Sequence, residues 1–147
     1  MQNRIRIDQL EPASYKPMIG LEQYLGATNI EASLKELIKL KASIINKCAY
    51  CIQMHTEQAR KIGESEQRLY ALAAWQESPL FTEKERAVLA LTEEVTLISE
   101  QGLSDETYAT CIELLGENGM AQCIMQIITI NAWNRIALST KMYHENN

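Results

Sequence analysis

Apolar residues in this chain recur at the three- and four-residue intervals of an α-helix, and no stretch alternates at the two-residue interval of a strand. Leu34, Leu37, Ile38, Ile44 and Ile45 form one stripe, and Val88, Leu91, Val95 and Ile98 form another. Helices patterned in this way must bury their apolar faces against one another, so the expected fold is an all-α, single-domain bundle of about six to seven helices. The length of 147 residues suits one domain, spanning 1–147. A chain of that size buries enough surface to fold without a disulfide or a metal.

With only 6 Gly and 3 Pro, each breaker carries information. Residues 1–13, with Ile5-Arg6-Ile7 and then Glu11-Pro12, read as an extended arm. A first helix is expected from Tyr15 or Pro17 to Leu25, with Pro17 in its first turn and Gly26 as its stop. Thr28-x-x-Glu31 and Thr82-x-x-Glu85 both match the capping box. They open helices running to about Lys47 and Ser99. Between them, a cysteine-bearing helix is expected over about Ala49–Ile62, with Gly63 just past its end. Ser65 caps the next helix, which carries Leu69, Leu72 and Ala73, and Ser78-Pro79 interrupts the pattern. Gly102 stops the Thr82 helix, and Ser104-Asp105 cap a further one to Leu115. Gly116-Glu117-Asn118-Gly119 reads as a turn, Met120–Ser139 as the last helix, and 141–147 as a polar tail.

Charge narrows the function. A net charge of −5 without a clustered basic face argues against nucleic-acid binding. The first residues lack an apolar signal region, and no apolar run approaches the ~18 residues of a membrane span. Met120–Leu138 is broken by Gln122, Gln126, Asn131, Asn134 and Arg135. The expected location is the cytoplasm, where thiols stay reduced and a close cysteine pair points to catalysis or metal rather than to a structural staple.

The chemistry concentrates in Lys47-Cys48-Ala49-Tyr50-Cys51-Ile52-Gln53-Met54-His55. On a helix, Cys48 and Cys51 lie about one turn apart, as do Cys51 and His55. A helix N-terminus and a nearby His both lower a thiol pKa, so a dithiol redox site is the expected chemistry. The helix N-terminus favours Cys48 as the more acidic thiol and His55 favours Cys51; the spacing leaves the order open. Glu36 sits on the row Glu36, Leu40, Ser43, Lys47 and approaches the thiols if the chain bends at Asn46-Lys47. Two other readings fit cysteines in a helical chain. Small core residues would account for any single cysteine, and Cys111 and Cys123 are read as core. A zinc site would need a fourth ligand beyond Cys48, Cys51 and His55, from Glu36, Cys111 or Cys123. Haem attachment is rejected because Ile52, not His, follows Cys51. No cofactor and no metal are expected.

Glu36, then Cys48-Ala49-Tyr50-Cys51, then His55 resembles the core signature of the alkylhydroperoxidase AhpD/carboxymuconolactone decarboxylase family. Thr82-Glu-Lys-Glu-Arg-Ala and Asn131-Ala132-Trp133-Asn134-Arg135 resemble further segments of it, so the similarity covers about residues 15–140. The resemblance implies an AhpD-like all-helical fold, a homo-oligomer (trimer or hexamer), and a thiol peroxidase reducing a hydroperoxide. Its catalytic residues would be Glu36, Cys48, Cys51 and His55. Cys51 would attack and Cys48 resolve; His55 and Glu36 would relay the proton with a bound water; an external dithiol would restore the pair. Tyr50 stands where the best-known peroxidase branch has a second His, and the decarboxylase branch lacks the cysteine pair.

Overall fold

In the computed structural model, which describes residues 4–143, the chain forms α1 (Ile7–Leu10), α2 (Pro12–Gly26), α3 (Ala32–Ile45), α4 (Ala49–Lys61) and α5 (Glu66–Ala71). A 3-10 helix (Leu72–Glu77) follows, then α6 (Glu83–Thr96), α7 (Ile98–Gln101) and α8 (Asp105–Thr140). No strand occurs among the described residues. The all-α expectation holds, and the helices beyond the expected number are the single turns α1 and α7.

The centre of the bundle is α3, which packs against α4, α6 and α8. Its sequence explains why. Leu34 and Ile38 point to one core with Val88, Leu91 and Ile127, while Leu37 and Leu40 point to a second with Leu72, Trp75 and Phe81. Buried on two faces, α3 also carries buried polar groups, and each needs a partner. Lys41 finds Glu93 at 2.9 Å and the Leu72 carbonyl at 3.2 Å. Ser43 Oγ donates to the Lys39 carbonyl at 2.7 Å, and Glu36 belongs to the site described below.

The caps explain most boundaries. Ser65 and Ser104 accept from the backbone N–H of Arg68 and Thr107, and Thr82 with Glu85 completes a reciprocal capping box. Gly63 and Gly102 take positive φ where helices end.

Four expectations are corrected. Residues 1–13 are not an extended arm within the described part: Ile7–Leu10 makes a helical turn and α2 already starts at Pro12. Three alternating residues with no strand to pair with are too few for extended structure, and Pro12 presets the helical φ of a first position. Pro17 consequently sits inside α2, not in its first turn. The Thr28 capping box does not form. Thr28 Oγ1 donates to the Leu25 carbonyl at 2.8 Å, and Glu31 occupies the N-cap of α3 without a capping side-chain bond. Last, 116–119 is not a four-residue turn. Only Gly116 leaves helical geometry, at φ 70° and ψ 171°, and α8 resumes at once. Of the polar tail, residues 144–147, with His144, lie outside the described residues, as do residues 1–3 of the arm.

Candidate active site

The bend between α3 and α4 brings the thiols together. Lys47 adopts a left-handed φ of 57°, which turns the chain sharply after Asn46. The turn is closed by Cys48 N–H donating to the Ser43 carbonyl at 3.0 Å and Lys47 N–H donating to that of Ile44 at 3.1 Å. These are the two bonds of a Schellman ending, with lysine where glycine is usual. The next residue, Cys48, is the N-cap of α4, and its Sγ accepts from the Cys51 N–H at 3.4 Å. Cys48 and Cys51 are joined as a disulfide, their Cα atoms 5.3 Å apart. Both are buried, against Ala137 of α8 and Tyr50.

One turn further along α4, His55 Nδ1 lies 3.1 Å from Glu36 Oε2. The other carboxylate oxygen, Oε1, receives Lys39 Nζ at 2.9 Å. Burial pushes the Glu36 carboxyl up, but the hydrogen bonds from His55 and Lys39 outweigh it, and its pKa lies below the ordinary value. An ionised carboxylate only accepts, so the proton of the Glu36–His55 bond sits on Nδ1, and Nε2 is the ring nitrogen not engaged by Glu36. The bend expected from the row Glu36, Leu40, Ser43, Lys47 is therefore present, and it brings Glu36 to His55.

Cys51 and His55 open onto one cavity of about 380 Å³, walled by Lys39 and by the rings of Tyr15, Tyr50 and Trp133. Cys48, 1% exposed, does not line it. One sulfur faces the cavity and the other backs it, a distinction that residue spacing alone left open. Trp133 is held by its indole N–H donating to Glu22 at 3.0 Å and by an edge contact with Tyr15, with ring centroids 5.5 Å apart.

Cys111 and Cys123 lie elsewhere, in the core between α3, α6 and α8. Burial pushes both thiols up to about 11, which keeps them protonated and inert. Among the described residues no group of three or more His, Cys, Asp or Glu is arranged to hold a metal ion. Tyr50 was expected beside the thiols, but Lys39, Tyr15 and Trp133 were not picked out from the sequence as site residues. Lys39, three residues after Glu36, has the spacing of an ordinary surface pair, and Trp133 joins only through the fold.

An all-helical frame with a Cys-x-x-Cys pair opening a helix and a buried Glu–His pair behind it defines an AhpD-like protein. The chain belongs to the carboxymuconolactone decarboxylase family, whose model matches residues 12–94. An uncharacterized protein of Bacillus subtilis (strain 168), YdfG, is 39% identical over 139 residues, 95% of each chain. A protein of unknown function from Agrobacterium tumefaciens, provisionally assigned to AhpD antioxidant defence, superposes with a TM-score of 0.95 at 36% identity, covering 99% of this chain and 100% of that one. The debrominase Bmp8 shares the fold, with a TM-score of 0.80 at 21% identity over 93% of this chain and 74% of its own. No helix among the described residues is long and apolar enough to cross a membrane.

Proposed function

We propose that this protein is a thiol-dependent peroxidase that reduces hydroperoxides through a Cys48/Cys51 dithiol–disulfide cycle, in antioxidant defence. The observation that carries this reading is the position of Cys51, bonded to Cys48 behind it and opening onto the same cavity as a His55 whose Nδ1 is held by the Glu36 carboxylate.

In the cycle, His55 Nε2 takes the Cys51 proton through a bound water, and Glu36 stabilises the imidazolium. The Cys51 thiolate attacks the distal oxygen of ROOH, the O–O bond breaks, and the departing alkoxide takes a proton to leave as ROH. Cys51 is now a sulfenic acid. The Cys48 sulfur attacks it, forming the disulfide and releasing water. An external dithiol then attacks Cys51, the cavity-facing sulfur, and expels Cys48 as thiolate. That leaving group sits at the N-terminus of α4, where the helix dipole favours negative charge. The dithiol departs as its own disulfide, and the two electrons given to the peroxide are restored. The proposed setting is the cytoplasm.

Stopped-flow oxidation of the reduced protein by hydrogen peroxide and by an organic hydroperoxide tests this. Wild type and Cys48→Ser are expected to react at Cys51 far faster than a free thiol, with Cys48→Ser stalling as the sulfenic acid, and Cys51→Ser is expected to be inert. Generic thiol rates in all three would overturn the peroxidase reading. They would leave a non-peroxidatic dithiol module or a carboxymuconolactone-decarboxylase-like enzyme. The proposed assembly is a trimer or hexamer, and exposed Leu10, Ile19 and Tyr24 on the first two helices fit it. A sedimentation mass equal to the 16.7 kDa monomer would remove it.

A further inference from the structure

The segment Asn131-Ala132-Trp133-Asn134-Arg135 of α8 is more than a wall of the cavity. Asn46, the C-cap of α3, donates from Nδ2 to Asn131 Oδ1 and to Asn134 Oδ1, each at 2.9 Å. Asn134, fully buried, donates in turn to Ser43 Oγ at 3.0 Å. Arg135 Nη1 fixes the Asn131 carboxamide oxygen at 2.8 Å, and Asn131 Nδ2 reaches Thr96 Oγ1 at 3.0 Å. Ser43 is the residue whose carbonyl receives the Cys48 N–H. One turn beyond Asn134, Ala137 packs in one cluster with both cysteines. The left-handed Lys47 is a strained link, costly for a residue with a side chain. The amide bridge thus holds, from α8, both the residue before that link and the side chain of the residue whose carbonyl closes it.

We propose that the Asn46–Asn134–Ser43 bridge is a positioning device that holds Cys48 where it can bond to Cys51, and so sets how readily the disulfide closes. The proposal rests on the dithiol reading of the site. It concerns the closing step, in which the Cys48 sulfur displaces the oxygen of the Cys51 sulfenic acid, the S–O bond breaks and water leaves. A Cys48 released from the clamp spends less time in reach, and the sulfenic acid is left open to a second peroxide and to the sulfinic state.

The experiment equilibrates the protein with mixtures of reduced and oxidised glutathione and reads the dithiol–disulfide ratio of wild type, Asn46→Ala and Ser43→Ala. Loss of the two Asn46 bonds is expected to disfavour the disulfide roughly tenfold, about 30 mV for a two-electron couple. Ser43→Ala, nearly unchanged in volume, is expected to move it the same way by less. A bridge that only stabilised the fold would lower the melting temperature of both redox forms alike and leave this ratio at the wild-type value. That result in Ser43→Ala and in folded Asn46→Ala overturns the proposal; if Asn46→Ala does not fold, Ser43→Ala alone decides. Stopped-flow separates the two readings. With a shifted glutathione ratio but no fast peroxide reaction in wild type, the peroxidase reading falls and the clamp stands. With fast peroxide oxidation and unshifted ratios, the clamp falls alone.

Discussion

Lys39 is the residue that changes how the site is understood. Glu36 is 8% exposed, and a carboxylate so buried would ordinarily be pushed toward its neutral form. Two donors reverse that, His55 on one oxygen and Lys39 on the other. Because the folded pKa is depressed below 4.5, the ionised Glu36 contributes stability that is fully present above 4.5 and is lost as pH falls through the lower, folded value. Lys39→Met removes one donor while burial remains, so the Glu36 pKa is expected to rise and the stability that this group loses on acidification to shrink. Carboxyl carbon shifts followed by NMR titration check this, and an unmoved midpoint would show that Lys39 does not set the charge. At this scale the sequence was informative wherever spacing along one helix carried the relation, as with Cys48, Cys51 and His55. It was silent on Lys39 because a Glu–Lys pair three apart is ordinary surface chemistry on most helices.

Two copies of one pattern show where local reading stops for the helices. Thr82-x-x-Glu85 and Thr28-x-x-Glu31 are the same capping box on paper. The first forms, and Glu85 is further held by Arg68. The second fails because α2 ends at Gly26, and the Leu25 carbonyl of its last turn, which also receives Lys35 Nζ at 2.6 Å, captures the Thr28 hydroxyl. A cap signal two residues after a helix end competes with that helix's own unpaired carbonyls. Gly116 shows the opposite case, a breaker correctly sensed but stretched over too many residues. Its φ of 70° with ψ of 171° is a region open essentially to glycine alone. Gly116→Ala is expected to cost about 1–3 kcal/mol, read as a lowered denaturant midpoint. An unchanged midpoint would mean that α8 absorbs the residue by straightening.

Across the whole molecule, the candidate site forms where α3, α4 and α8 meet. The family frame and the helical class were readable because periodicity and the cysteine signature are local. The cavity was not, since its walls come from α2, α3, α4 and α8 and meet only after folding. One feature of that cavity governs traffic. Of the two cysteines only Cys51 meets it, with Cys48 hidden at its back, so in the proposed cycle oxidant and reductant use one doorway in alternation. Each then obstructs the other when abundant. Steady-state rates are expected to trace parallel double-reciprocal lines at low concentrations and to fall when either reactant is in large excess; intersecting lines would reveal a second entrance. If the proposed cycle holds, a cell would see its throughput peak at balanced supply, and fade when peroxide outruns the dithiol pool.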